Sequence, residues 1–363
     1  YTTRWVAGAR NFDALLRLDT ATGLHSFQFI VPGHEEGGML LVGGQTLLAV
    51  GRKIVPVEGE GEEGSFFAGS AARGTVLRYP PAGDTSDYGT VVVADTSANA
   101  PVDPEGIVLD GNTLYIADTR SSQPSSGPIP AGRIRRYNAT TGAFLNEITA
   151  NGYNGLFHPR GLVFGPDGSL YVTLYDPNID ANGDQTNPGY GAILKIDAVS
   201  PAPVVVAFNN GDGVQDAGET PNLHNPGTLA FGPDGKLYVT TRSPDPNALD
   251  KIIVLDPTAS SPFAEVDHID LARVSELPLH PRAMLFGPNG KLFVSVNEPD
   301  DPDPFGGQSN GYLRSYDVAT KEFTVEATAS TGPIGYFTFG YTDPKTLAFA
   351  PPAGAAPTLS GIE

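Results

Sequence analysis

Apolar residues along this chain come in short alternating runs, broken at regular intervals by glycine, proline, asparagine and aspartate. The clearest runs are near copies of one another: GLVFGPDGSLYVT at 161–173, TLAFGPDGKLYVT at 228–240 and AMLFGPNGKLFVS at 283–295. GIVLDGNTLYIA at 106–117 and GMLLVGGQTLLAV at 38–50 are looser versions. In each, two β-rich stretches flank a tight turn, which predicts a hairpin, here strands A and B. A second hairpin, strands C and D, follows each one: RIRRYNATTGAFLNEI, AILKIDAVSPAPVVVAF, YLRSYDVATKEFTVEA, and relatives around Leu18, Tyr79 and Leu255.

Two rulers measure the repeat. The first leucine of strand B recurs at Leu47, Leu114, Leu170, Leu237, Leu292 and Leu347, an average step of 60 residues. A strand C position recurs at Leu18, Tyr79, Tyr137, Ile196, Leu255 and Tyr316, and it also counts six. Four strands repeated at this period predict an all-β, six-bladed β-propeller with four-stranded blades, because radial closure leaves no long open sheet edge. The chain opens on a C/D hairpin (ALLRLDTATGLHSFQF) and ends on an A/B hairpin (YFTFGYTDPKTLAFA). The N- and C-terminal strands are therefore expected to share one blade and close the ring, making residues 1–363 a single domain. DLARVSEL at 270–277 is the one stretch with helical periodicity.

Hairpins that alternate along a blade put the A–B and C–D turns on one face and the B–C and D–A loops on the other. The former are minimal (GPDG, GPNG, NATTG, VATK), whereas the B–C loops at 51–74, 118–132, 174–190 and 297–311 are long. Long loops on a rigid scaffold usually carry function, so the long-loop face is the candidate site.

Charge narrows the partners. With 41 acidic against 22 basic residues the formal charge is −19, which repels nucleic acid and anionic membranes and concentrates cations. The expected partner is a small molecule, and the ring is expected to act as a monomer. There is no cysteine, so disulfides and thiolate ligands are excluded and any metal must use His, Asp or Glu. No apolar run approaches the roughly 18 residues of a membrane span. The chain begins at Tyr1 rather than Met, as an exported, secreted or periplasmic product would.

Four of the six histidines fall three or four residues before the aligned strand A position: His158 (HPRG), His224 (HNPGT), His280 (HPRA) and His34 (HEEGG). In the second blade Asp103 (DPEG) holds the equivalent place. Strand A is innermost and starts on the long-loop face, so these side chains are expected to converge on the central channel. Converging imidazoles suit a divalent transition metal such as zinc, copper, iron or manganese. His158, His224 and His280 form the core of that set, with His34 and Asp103 beside them. The alternative is that H-P-x-G is a structural signature whose histidine hydrogen-bonds the neighbouring blade. Strand alternation would put Arg160 and Arg282 on the same side as their histidines, where a guanidinium suits a carboxylate or a developing oxyanion, unless each makes an inter-blade salt bridge. Glu105, within DPEG, and Tyr175, after its B strand, are candidate acid and base, and Arg242, Asn297 and Glu298 are placed like Tyr175.

The units HPRGLVFGPDGSLYV and HPRAMLFGPNGKLFV resemble NHL repeats, over nearly the whole chain. Enzymes of that broad superfamily with histidines at blade starts around a metal include the peptidyl-hydroxyglycine amidating lyases and the streptogramin lyases. Senescence-marker-protein and gluconolactonase enzymes use the same channel with Glu, Asn and Asp. The lyase resemblance implies His158, His224 and His280 as metal ligands and Arg160 as a carboxylate or oxyanion partner. A second metal site is suggested by FNNGDGVQDAGE at 208–219, which is similar to calcium loops. There Asn210, Asp212, Asp216 and Glu219 take oxygen-ligand positions, Val214 offers its carbonyl, and Phe208 stands where the first aspartate would be.

The expectation is a metal-dependent lyase or hydrolase acting on a small carboxylate- or carbonyl-bearing substrate in the channel. Its rivals are a non-catalytic binding scaffold and a histidine-ligated copper or iron redox site.

Overall fold

The computed structural model describes residues 2–5, 12–18, 25–32, 34–42, 46–53, 73–79, 90–120, 129–178, 186–197, 202–259, 263–273, 279–287, 289–297 and 311–328. Before Arg73, and at residues 79, 297, 311, 327 and 328, it describes the backbone only. No helix occurs among the described residues, and Leu271, Ala272 and Arg273 of the expected helical stretch follow a β-strand without forming one.

The strands assemble, in chain order, into antiparallel sheets. The first has three strands, β1 (Thr2–Trp5), β2 (Phe12–Leu18) and β3 (His25–Pro32). Five four-stranded sheets follow among the described residues. They are β4 (His34–Val42), β5 (Thr46–Lys53), β6 (Gly74–Tyr79) and β7 (Thr90–Val93); then β8 (Pro104–Asp110), β9 (Thr113–Arg120), β10 (Ala131–Asn138) and β11 (Phe144–Ile148); then β12 (Pro159–Phe164), β13 (Leu170–Leu174), β14 (Gly191–Ile196) and β15 (Val204–Asn209). The fourth is β16 (Leu229–Phe231), β17 (Leu237–Thr241), β18 (Lys251–Asp256) and β19 (Ala264–Asp270). The fifth is β20 (His280–Phe286), β21 (Leu292–Asn297), β22 (Gly311–Tyr316) and β23 (Phe323–Thr328). Each keeps its strands in sequence order, as in the blades of a β-propeller.

The two sequence rulers turn out to be cross-strand partners. Leu47 faces Tyr79, Leu114 faces Tyr137, Leu170 faces Ile196, Leu237 faces Leu255 and Leu292 faces Tyr316. From Leu114 onward every member of these pairs is buried, so the repeat was legible because it marks the middle of each blade. At the N-terminus the strand beside β2 is β1, not the segment around Leu347. The chain start thus supplies three strands rather than two. The expected closing segment near Leu347 lies outside the described residues.

The repeated motif explains how one sheet grips the next. The tyrosine of LYV in one sheet meets the phenylalanine of the following FG edge-on: Tyr115 with Phe164 at 5.2 Å, Tyr171 with Phe231 at 5.1 Å, Tyr238 with Phe286 at 5.0 Å. Such pairs contribute about 0.5–1.5 kcal/mol beyond their burial. The turn aspartate of GPDG then fixes the ring, since Tyr171 donates to Asp167 Oδ2 and Tyr238 to Asp234 Oδ2, while the other oxygen of each carboxylate accepts a turn N–H from Ser169 or Lys236.

Nearer the axis the contact is backbone to backbone. A Cβ on Gly106 would stand 2.4 Å from the carbonyl oxygen of Arg160, and one on Gly161 would stand 2.4 Å from that of Gly227, so only glycine lets consecutive A strands approach this closely. The A strand is also bulged at this point. Glu105 and Gly106 oppose one residue of β9, Arg160 and Gly161 oppose one of β13, and the register shifts likewise at Arg282 and Gly37. A bulge orphans an N–H, which needs an acceptor. The hydroxyl that ends YVT or FVS supplies it: Thr173 accepts from Gly161, Thr240 from Thr228 and Ser295 from Ala283. Thr173 also donates to Gly227 O at 2.6 Å, linking two sheets.

Replacing Thr173 with valine keeps the shape and strips both bonds. The Thr173→Val protein should unfold at lower urea, with a loss of about 1–3 kcal/mol for the buried groups left unpaired. A substitution at the exposed Thr141, by contrast, should leave the transition in place.

Candidate functional site

The A strands begin, and the B strands end, at one end of the sheets: Pro104 lies opposite Asp118, Pro159 opposite Leu174 and His280 opposite Asn297. This is the end that carries the B–C loops, much of whose length (54–72, 121–128, 179–185 and 298–310) lies outside the described residues.

Counting four residues back from the aligned core position of strand A (Met39, Ile107, Leu162, Leu229, Met284) gives the residue in each channel slot. Those residues are Glu35, Asp103, His158, Asn225 and His280. Asp103, His158 and His280 hold the expected slot. His224 and His34 stand one residue away, and Asn225, buried and with a φ of 41°, replaces His224 there.

His158, His224 and His280 are each spoken for through Nδ1, and each by the preceding sheet or the connection that belongs to it. His158 donates to Thr119 O at 2.8 Å, His224 to Gly189 O at 3.1 Å and His280 to the buried carboxylate of Asp250 at 2.7 Å. That is the structural role the H-P-x-G signature offered as the alternative. Among the described residues no three His, Asp or Glu side chains come together in a group able to hold a metal ion. The side chain of His34 lies outside the described set. Burial pushes the His158 imidazole below its usual value, against the opposing pull of Thr119 and Asp176.

Around Tyr175 the structure brings together Arg160, Glu105, Asp103 and Arg120. Arg160 lies over the ring of Tyr175, with its guanidinium carbon 4.9 Å from the ring centre, and its Nη1 stands 3.5 Å from Asn225 Oδ1. Arg120 pairs with Asp103 at 2.9 Å, both about five-sixths buried. Tyr175 feels all of them: burial raises its phenol first, Glu105 and Asp103 raise it further, and Arg160 and Arg120 pull the other way. The net shift is upward, so Tyr175 holds its proton at neutral pH. Glu105 and Arg160 are both bulge residues, so simple alternation from His158 to Arg160 does not apply. Arg282 occupies the same bulge position in its own sheet, where its carbonyl accepts from Thr228. Arg120 and Asn225 were missed in the sequence. The signal for Arg120 was its position just past strand B, the same feature that singled out Tyr175.

The 208–219 loop closes on itself. Glu219 accepts the N–H of Asn210 with one oxygen and of Asp216 with the other, Asp212 accepts from Val214 and from the Asn210 amide, and Val214 is exposed. Its twelfth-position carboxylate thus caps the loop's own backbone.

A buried histidine held neutral gives a signed pH dependence. The unfolded chain takes up a proton near the ordinary value of 6.5 and folded His158 resists it, so its contribution is complete above that pH and is lost on acidification. Calorimetric melting points should fall below that pH, and His158→Asn, which keeps a donor toward Thr119 O, should flatten the slope. An unchanged slope would mean that other groups set the acid limit.

No protein-family model matches the sequence, and no curated protein is similar to it. Solved structures share its architecture. A protein of unknown function from Bacteroides caccae superposes with a TM-score of 0.54 at 13% identity, covering 95% of this chain and 96% of that one. One from Dyadobacter fermentans gives 0.51 at 11% identity, over 81% and 83%. A periplasmic gluconolactonase from Pseudomonas aeruginosa gives 0.49 at 15% identity, over 90% and 82%. The first two likenesses speak to fold alone, and they agree with the sheets described above: the chain is an all-β propeller built of four-stranded antiparallel blades.

Proposed function

We propose that this propeller is a hydrolytic enzyme, with lyase chemistry as the nearest variant, acting on a small substrate that carries a carboxylate or an activated carbonyl. The observation that carries the reading is Arg160 stacked on Tyr175, with Glu105 and the Asp103–Arg120 pair around the same phenol, at the bulged starts of two innermost strands. In this reading Arg160 holds the substrate anion or the developing oxyanion. Glu105 takes the proton of an attacking water as its oxygen bonds to the carbonyl carbon, then returns that proton to the leaving oxygen as the old C–O bond breaks. Tyr175 keeps its own proton throughout and donates a hydrogen bond. The blade count belongs to the same reading: six, with the three-stranded sheet of β1 to β3 completed by a strand from the C-terminal segment.

A panel of small esters and lactones, with and without a free carboxylate, read by proton release in a pH-stat, tests the proposal. Arg160→Met and Glu105→Gln should each lower kcat/KM by about 10²–10³ with the melting temperature unchanged. If the carboxylates bind, Arg160→Met abolishes that binding, and nothing is turned over, the protein is a binding scaffold.

A second reading keeps the histidines as ligands. All three use Nδ1 on the protein, which leaves Nε2 as the lone-pair nitrogen that a metal takes. Elemental analysis of protein purified without a nickel column separates the two. The first reading expects activity that survives chelation. The second expects a stoichiometric transition metal that is lost in His158→Ala and His280→Ala alike.

A further inference from the structure

Far from the channel, the outer strands β15 and β19 of neighbouring sheets border a groove of about 590 Å³, lined on one side by Val206, Pro221 and Asn222 and on the other by Phe263, Glu265 and Val266. Its chemistry is lopsided. Glu265 is nine-tenths buried; its Oε1 accepts the Asn222 amide at 2.7 Å and stands 3.5 Å from His268, whereas its Oε2 is buried with no hydrogen-bond partner. The β-bulge at Val266, one residue on, breaks the register of β19 beside it.

A buried carboxylate oxygen without a donor is costly, and protonating it gives no relief, because the new O–H would then lack an acceptor. The missing group is a donor, and the surroundings say which kind. Glu219 lines the same groove, as does Asp267, which is paired with Lys321, and the chain as a whole carries a charge of −19, so the field at Glu265 favours a cation. Among the described residues no three carboxylate or imidazole groups gather to hold a bare metal ion. The walls at Val206, Pro221, Phe263 and the half-exposed Val266 are apolar, which suits a carbon stem better than a hydrated ion.

We propose that this groove binds an organic cation, a guanidinium or ammonium head on a short apolar stem, with the head on Glu265 and the stem along Phe263 and Val266. The site is separate from the proposed catalytic cluster and does not depend on it.

The test uses the full chain and n-butylguanidinium as probe, followed by ligand-observed NMR at low ionic strength. Binding should saturate, and the uncharged n-butylurea, of the same shape, should bind at least about ten-fold more weakly. Glu265→Gln should weaken the cation by about ten-fold or more. Should that variant fail to fold, Val266→Arg, at a half-exposed position, supplies a tethered guanidinium to the same groove and should displace the probe. An arginine-containing peptide tells the sources apart: tighter binding than the bare head assigns a side chain of a protein partner, and equal binding assigns a free small molecule. The proposal is overturned by an absence of saturable binding, by equal affinity for the urea, or by a cation affinity that both variants leave untouched.

Discussion

The fold depends on how closely the innermost strands of successive sheets can approach. At Gly106 and Gly161 the backbone of one A strand lies against the backbone of the next, with no room for a Cβ. Everything farther out follows from that spacing. The tyrosines of strand B reach the phenylalanines of the next sheet only because the axes are this near, and the hydroxyl of Thr173 spans the gap to Gly227 O for the same reason. Burial of Leu114, Leu170, Leu237 and Leu292 against their partners then fills each blade. Repeat proteins of this kind hold together by nearest-neighbour seams, and here the tyrosine–phenylalanine contact recurs at three of them.

The same close approach forces the bulge, and the bulge makes the site. An extra residue in strand A leaves one N–H to be satisfied and one side chain outside the regular in-and-out order. The fold answers the first demand with Thr173, Thr240 and Ser295. The second places Glu105 and Arg160 with Tyr175, Asp103 and Arg120 in a mixed-charge cluster. The histidines beside them serve as struts between sheets, each with its Nδ1 hydrogen committed to the sheet before it.

Much of this was legible in the sequence, and the limits have physical causes. The blade period could be read because Leu114 and Tyr137, or Leu292 and Tyr316, are buried partners whose spacing cannot drift without exposing core. The face of the site could be read from loop length. Arg160, Tyr175, Glu105 and Asp103 were picked out one by one, and the structure groups them around one phenol. His224 stands one residue off the slot that His158 and His280 hold, and Asn225 takes its place, an offset that spacing alone does not reveal. The 208–219 spacing is legible in two ways for a similar reason: Glu219 can cap its own loop as readily as it can ligate, and sequence spacing is the same for both.

The bulge position has one more consequence, for how such a protein changes over time. Glu105, Arg160 and Arg282 occupy it in three sheets and glycine in two, Gly37 and Gly227. The next residue is glycine or small in each case (Gly106, Gly161, Ala283, Gly38, Thr228), whereas the bulge residue itself is held by no such demand. An acid, a base or no side chain at all is compatible with the same sheet. Each of these sheets therefore offers one position where substitution can change the charge beside the start of the strand while the architecture stays fixed.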